Sequence, residues 1–585
     1  MFSPDRRKFL STSLAIGGTA GLLTAMPAWA RGATSGTLAR KGSDVLSGEH
    51  LTMKVADAAF RTGNRRGAGV TVNGTIPGPL VRLQEGQNLV VDMVNNSSEG
   101  TSIHWHGLLV PFLMDGVPGV TMTALEPGKT FRYEFPIRQS GTYWWHAHTL
   151  QEPLGHYGPI IIDPKGPEPV EYDRDYVVML SDWSPMSPHT IMAKLKKGEG
   201  YFNYSQRTMS DDYPLSADDR RMWARMRMMP TDISDISAAT YTYLLNGHGP
   251  EDGLEYLFKK GERVRLRFIN GAAATFFNIR IPGLPMTVIQ ADGQNVRPVQ
   301  VDEFQIGNAE TYDVIVEPGS SEAYSIVAES MDRSGMGLAT LASRPGAKAA
   351  IPALRDAPLL TMADMGMSGH GEGGTDHSAH GGAAAGGAAA GMDMSGGMNM
   401  RDTSKLPPSV KVGPGVDMVA MNPVDRMGDP GIGLDKVSHR VLNYKQLVAA
   451  KPNPDARRPT RLKEIHLTGN MERYMWSFDG KKYSAVTDDP IRFAYNERVR
   501  VKLVNNTMMA HPIHLHGHFF ELVNGAKKGN QPLKHTMIVQ PGSSAQFDLT
   551  ADEPGDWAFH CHLLYHMHSG MFQVVTVRPL DGDKS

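Results

Sequence analysis

Residues 560 to 571 read HCHLLYHMHSGM, and Cys561 is the only cysteine in 585 residues. A strand turns successive side chains to opposite faces. On a strand through Ala558-Phe559-His560-Cys561-His562, the two histidines therefore face one way and the thiol the other. In HPIHLH (511–516), His514 and His516 share a face while His511 lies opposite. His104/His106 in HWHG and His146/His148 in WWHAH are two further same-face pairs. The pattern sorts these residues into two sets. One holds eight imidazoles, on His104, His106, His146, His148, His514, His516, His560 and His562. The other holds Cys561, His511 and His566, with Met571 ten residues beyond the cysteine.

A thiolate, two imidazoles and a weak axial thioether form the donor set of a blue copper electron-transfer site. Structural zinc favours closed four-ligand sites rich in cysteine, which this set is not. Eight imidazoles are too many for one ion; divided as two, three and three they suit three coppers. Cys561 would then bind one centre while its two sequence neighbours bind the other, leaving a covalent path one residue long in either direction. His156, His535 and His568 stand outside these pairs and are set aside as surface or supporting residues.

The elements that must carry these residues are written three times. VVDMVNNSSEGTSIHWHG (90–107) lies beside VRVKLVNNTMMAHPIHLHG (499–517), with nine residues from Asn95 to His104 and nine from Asn505 to His514. Nineteen residues separate Pro127 from His146, and nineteen separate Pro541 from His560. The middle of the chain repeats the scaffold, with Asn278 and Arg280 where the outer copies have histidine. Each copy opens with a turn, Asn73-Gly74, Asn246-Gly247 or Asp479-Gly480, of the kind that suits hairpin backbone. Alternating runs between Pro-Gly and Gly turns read as antiparallel strands. The spacing predicts an all-β chain of three Greek-key sandwiches over 46–165, 166–350 and 406–582. The second carries a more helical, Met/Arg-rich insertion at 183–230.

At the N-terminus Arg6-Arg7 precedes a mild apolar run, Leu14 to Met26, and then Ala28-Trp29-Ala30. This reads as a twin-arginine export signal over residues 1–30, and so as a periplasmic protein exported folded. The run is too short and too rich in Gly and Thr to span about 30 Å of hydrocarbon, so no stable membrane anchor is expected. A formal net charge of −2 gives no phosphate-binding surface and excludes nucleic acid as a partner. Residues 360–405 read as a flexible linker, its Gly/Ala/Ser-rich body showing no apolar periodicity. It carries Met362, Met365, Met367, Met392, Met394, Met398 and Met400. Thioethers prefer Cu(I), and these seven are expected to capture it.

HWHG, WWHAH, HPIHLHGH and HCHLLYHMHSGM resemble the four copper motifs of the multicopper oxidases. The resemblance spans roughly residues 46 to 582, and further stretches (SDWSPMSPHTIMAKL, PLLTMADMGM) are similar to the exported copper-resistance branch. It implies cupredoxin-like domains and four coppers per chain. The type 1 copper falls at His511, Cys561, His566 and Met571, and the type 2 copper at His104 and His514. The type 3 pair falls at His106, His146, His148, His516, His560 and His562. It implies that Asp115, nine residues after His106, supplies protons for O2 reduction; the residues alone weigh that role evenly against a turn aspartate before Gly116. The implied activity is an oxidase passing electrons from Cu(I), or another small reductant, to O2. It would act in periplasmic copper resistance beside other copper-handling proteins. A laccase-like phenol oxidase and a copper-sequestering protein are the alternatives.

Overall fold

The computed structural model describes residues 37–42, 44–204, 217–226, 228–319, 322–366, 400–481 and 489–579. The segment expected to direct export, residues 1–30, lies outside them, as do Met367, Met392, Met394 and Met398. The described strands form three six-stranded and three five-stranded sheets, one of each size per sequence copy. The chain is an all-β assembly of three sandwiches.

In each copy one central strand pairs parallel with the copy's first long strand and antiparallel with a later one. These central strands are Asn88–Asn95, Val264–Asn270 and Glu497–Asn505. The second and third copies repeat the same strand order in both sheets. Each central strand ends on a buried asparagine that fixes the loop leading toward the motif strand. Asn95 donates to Glu99 O and Leu125 O, Asn270 to Thr275 O and Ile306 O, and Asn505 to Met509 O and Val539 O. Each side-chain oxygen accepts from the backbone N–H two residues on, an Asx turn.

The three opening turns adopt positive φ at both central residues, 52° and 83° at Asn73-Gly74, 48° and 79° at Asn246-Gly247, and 49° and 70° at Asp479-Gly480. Type I′ hairpins require this geometry, and Asn or Asp followed by Gly tolerates it.

Burial alternates along Asn88–Asn95, as a strand with one wet face requires. Val264–Asn270 is buried throughout, because its outer face meets the first sandwich. There Arg265 and Arg267 pair with Asp313, and Thr142 Oγ1 donates to the same carboxylate at 2.9 Å.

The insertion folds as helices Pro188–Leu195 and Ala217–Met226. The first is capped by Ser187, whose hydroxyl accepts from Thr190 N at 3.2 Å.

The linker expectation needs correction at both ends. Residues 363–365 form a 3-10 turn with Met365 fully buried. Met400 is also buried in the main core, and Met362 packs against it. Asp364 pairs with Arg426 at 2.6 Å, and a Cβ on Gly366 would lie 2.8 Å from Ala420. These three thioethers are held by packing and are not solvated donors.

Candidate metal centre

Antiparallel pairing sets the histidine motifs opposite one another. His104 faces His146 across the strands His104–His106 and Gly141–His146, and His514 faces His560 across His511–Leu515 and Gly555–Cys561. The first and third sandwiches then meet ring on ring. His104 stacks on His516 and His106 on His514, each with centroids 3.9 Å apart. All eight imidazoles of the first set are buried in this one cluster.

Five ring nitrogens of the set find no partner. Nε2 of His104, His146, His514 and His562, and Nδ1 of His106, are buried without a hydrogen bond. Nε2 of His560 lies 3.0 Å from that of His516 and 3.3 Å from that of His148. Outward nitrogens are tied. His104 Nδ1 donates to Asp115 O at 2.8 Å, His514 Nδ1 to His535 O at 2.7 Å, and His560 Nδ1 to Cys561 O at 3.0 Å. A proton held on the outer nitrogen leaves a lone pair on the inner one, the tautomer a metal needs. Burial first, and neighbouring rings second, hold His106, His148, His514 and His516 well below the ordinary imidazole range, and His560 is pushed down to about 3. Neutral, convergent, unpartnered imidazoles fit bound metal. The three-donor groups within reach of one ion are His104/His514/His516, His104/His106/His146, His148/His516/His560 and His106/His514/His535.

The second set converges apart from the first. His511 Nδ1 lies 3.6 Å and His566 Nδ1 3.8 Å from Cys561 Sγ, with the two nitrogens 3.2 Å from each other. The local sequence enforces this. Strand Gly555–Cys561 stops at the cysteine, and the short helix Leu564–His568 brings His566 back over it. Met571 is fully buried, its carbonyl accepting from Cys561 N at 3.1 Å and its N–H donating to His566 O at 3.0 Å. Trp476 stacks on His566 at 3.8 Å. Without a cation, burial pushes the Cys561 thiol well above its ordinary range. One soft sulfur beside two imidazoles suits copper.

Apart from Asp115, the supporting residues come from places the motifs do not mark. The hydroxyl of Thr507 lies 2.7 Å from His511 Nε2, and Asp235 accepts from His566 Nε2 at 3.0 Å. Asp115 is buried with Oδ2 accepting from His516 Nδ1 at 2.9 Å and Oδ1 3.2 Å from His104 Nδ1, so it touches one ring from each outer sandwich. It is also the turn residue before Gly116, where a Cβ would strike Ile103 O at 1.8 Å. Buried Glu152 lies 2.8 Å from His146 Nδ1, and burial pushes its carboxyl well up. His535 is buried in ring contact with His106 and His514. Its N–H and that of Thr536 donate to Asp292, which pairs at 2.9 Å with the wholly buried Lys534. His156 hydrogen-bonds Thr101 and Gln151, away from both sets. The middle sandwich supplies no histidine to either set but supplies Asp235 and Asp292.

Family models described as Multicopper oxidase match residues 54–167, 174–346 and 456–581. The chain is 46% identical, over 99% of its length and all of the relative's, to Copper resistance protein A of Escherichia coli. It is also 46% identical, over 98% of its length and 99% of the relative's, to a Copper resistance protein A homolog of Pseudomonas syringae pv. tomato. Among solved structures, the laccase from Botrytis aclada superposes with a TM-score of 0.60 at 20% identity, covering 92% of this chain and 88% of the other. That likeness concerns the fold. Joined to the buried thiol and imidazole sets, full-length identity at this level establishes that the chain belongs to the multicopper oxidases, copper-dependent oxidoreductases that act on O2 and a reducing substrate.

Proposed function

We propose that this protein is a cuprous oxidase, coupling one-electron oxidation of Cu(I) to Cu(II) to the four-electron reduction of O2 to water in periplasmic copper resistance. His511, Cys561, His566 and Met571 would hold a type 1 copper, and His104 and His514 a type 2 copper. His106, His146, His148, His516, His560 and His562 would hold a type 3 pair, making four ions per chain. The observation that carries the reading is the disposition about Cys561. Its thiol closes one three-donor group, while the residues on either side turn their rings into the other cluster.

Copper supplies one-electron chemistry at the first centre and multi-electron reduction of O2 at the second. The chain's own residues do the rest. Cys561 joins the two sets through one peptide bond on each side. Thr507 and Asp235 fix the outer nitrogens of His511 and His566. Asp115 Oδ2, hydrogen-bonded to His516, is positioned to hold and deliver a proton. A soft, methionine-ligated first centre suits an easily oxidised donor. The name shared by the two 46% identical relatives supports Cu(I) as that donor. Arg6-Arg7 and the apolar run after them support twin-arginine export to the periplasm, where other copper-handling proteins would be its partners. The sandwiches are taken as 46–165, 166–350 and 406–582.

The test is O2 uptake with Cu(I) as sole reductant. The expected result is uptake at one O2 per four Cu(I), above the non-enzymatic rate. Phenol turnover that needs no added copper, with no Cu(I)-driven uptake, would make the protein a laccase instead.

A further inference from the structure

The turn Asp292-Gly293 joins strands Met286–Ala291 and Gln294–Val301 of the middle sandwich. Both residues have positive φ, 47° and 71°. The turn is wedged between the two outer sandwiches. A Cβ on Gly293 would lie 2.3 Å from the Tyr143 ring, and one on Gly141 would lie 2.2 Å from Gly293 O. Gly141 and Tyr143 belong to the strand that ends at His146. On the other side, Asp292 Oδ2 accepts from His535 N at 3.2 Å and from Thr536 N at 3.1 Å.

Those two N–H groups sit where the chain of the third sandwich changes sheets. Leu533–Lys534 pairs with Phe520–Leu522 in the six-stranded sheet, whereas Thr536–Val539 pairs with His511–Leu515 in the five-stranded one. His535 lies at the crossing. Its carbonyl accepts from His514 Nδ1 at 2.7 Å and from Leu515 N at 3.2 Å. The Thr536 hydroxyl lies 3.2 Å from the same Nδ1. Asp292 therefore holds the N–H side of the crossing, and the His514 ring is held on its carbonyl side.

A type I′ turn needs only a residue that tolerates positive φ, and asparagine serves at Asn73 and Asn246. It does not need a buried charge. Yet Asp292 Oδ1 pairs at 2.9 Å with Lys534, which also lies 3.1 Å from Glu310, and all three side chains are wholly buried. Against burial, the Lys534 ammonium holds the Asp292 carboxyl below its ordinary range, while burial pushes Glu310 up. A buried ion pair by itself adds little to stability. A carboxylate does here what an amide cannot. One oxygen takes both N–H groups of the crossing, while the other takes Lys534 and Thr311 N.

We propose that Asp292 is a positioning residue for His514, orienting its ring through the peptide at His535, so that the middle sandwich sets how the outer two present their ligands. The inference rests on the proposed function for the identity of the ion at His514, the type 2 copper, and not for the geometry.

The experiment reloads copper-free full-length protein with copper against a competing chelator and records ions per chain, visible absorption and EPR. Asp292→Asn keeps a residue suited to the turn and leaves Lys534 paired with Glu310. It should weaken copper binding at the imidazole cluster by at least about tenfold. The type 2 EPR signal should be lost first, with the blue absorption kept. The double variant Asp292→Asn/Lys534→Met, in which Glu310 can stay protonated, should do the same and replaces the single variant if that does not fold. Glu310→Gln removes a carboxylate from the same buried group without touching the crossing, and should load as wild type does. Cluster affinity within about threefold of wild type in the Asp292 variants, or an equal loss in Glu310→Gln, would overturn the inference. Weakened cluster binding with the type 2 signal intact would uphold the positioning role and overturn the assignment of His514 to the type 2 ion.

Discussion

Cys561→Ser is expected to reduce O2 uptake to the level of a copper-free control, with phenol and with Cu(I) alike. The loss would be on the order of 10³-fold or more, or about 4 kcal/mol at the barrier. The residue is wholly buried, and its sulfur is the one soft anionic donor facing His511 and His566. Serine keeps the shape but offers a hydroxyl that neither ionises nor binds copper as a thiolate does. A buried hydroxyl lacking a good partner costs about 1–3 kcal/mol, which a chain of this size tolerates, so the variant should fold. The imidazole cluster is built from other residues and should still load. Stopped turnover with only the first centre lost, seen as loss of the blue absorption, is the signature to look for. Turnover within about threefold of wild type would show that electrons enter elsewhere.

The second large effect is at Asp115. Asp115→Asn keeps the side chain's shape and can keep an oxygen on His516 Nδ1, while His104 Nδ1 retains the Asp115 carbonyl. The negative charge and the capacity to pass a proton are lost. Turnover should fall on the order of 10²-fold, in the range general acid–base groups contribute, with copper content unchanged. Asp115→Ala also removes the hydrogen bond that orients His516, and should weaken copper binding at the cluster by about 10–100-fold. O2-uptake rates beside copper analysis separate the two. An Asn variant that turns over like wild type would reduce Asp115 to the turn residue that Gly116 requires.

Both side-chain clusters were legible because their members are local in sequence and repeated. Period-2 geometry sorts His560 and His562 from Cys561 without any long-range knowledge. The matched offsets from Asn95 and Asn505 reflect a physical constraint, since each asparagine pins the loop that delivers the next His-x-His strand. Among the supporting groups, Asp115 was named from the family resemblance, but the acids of the middle sandwich were not legible. Asp235 reaches His566 across 331 positions, and Asp292 reaches His535 across 243. Only tertiary packing makes such partners, and neither acid sits in a pattern of its own. Glu152, six residues after His146 in LQEPLG, could have been suspected as an acid close behind a ligand motif. The methionine reading needed correction at Met362, Met365 and Met400 for a related reason. Composition marks Met365 and Met400 as part of a low-complexity stretch, but the core begins before that stretch ends, and both side chains are buried. The thioethers that line one cavity with Thr507 come from distant segments, Met228, Met418, Met471 and Met508 among them. No window of sequence shows them together.

Metal analysis of purified, copper-loaded wild-type protein, combined with its visible absorption and EPR spectra, tests the central claim most directly. That claim is a mononuclear thiolate centre joined through Cys561 to a three-metal imidazole cluster. The account predicts four coppers per chain, an intense blue absorption from the thiolate, and separate EPR signals for the type 1 and type 2 ions. Colourless protein holding one or two ions per chain would contradict it.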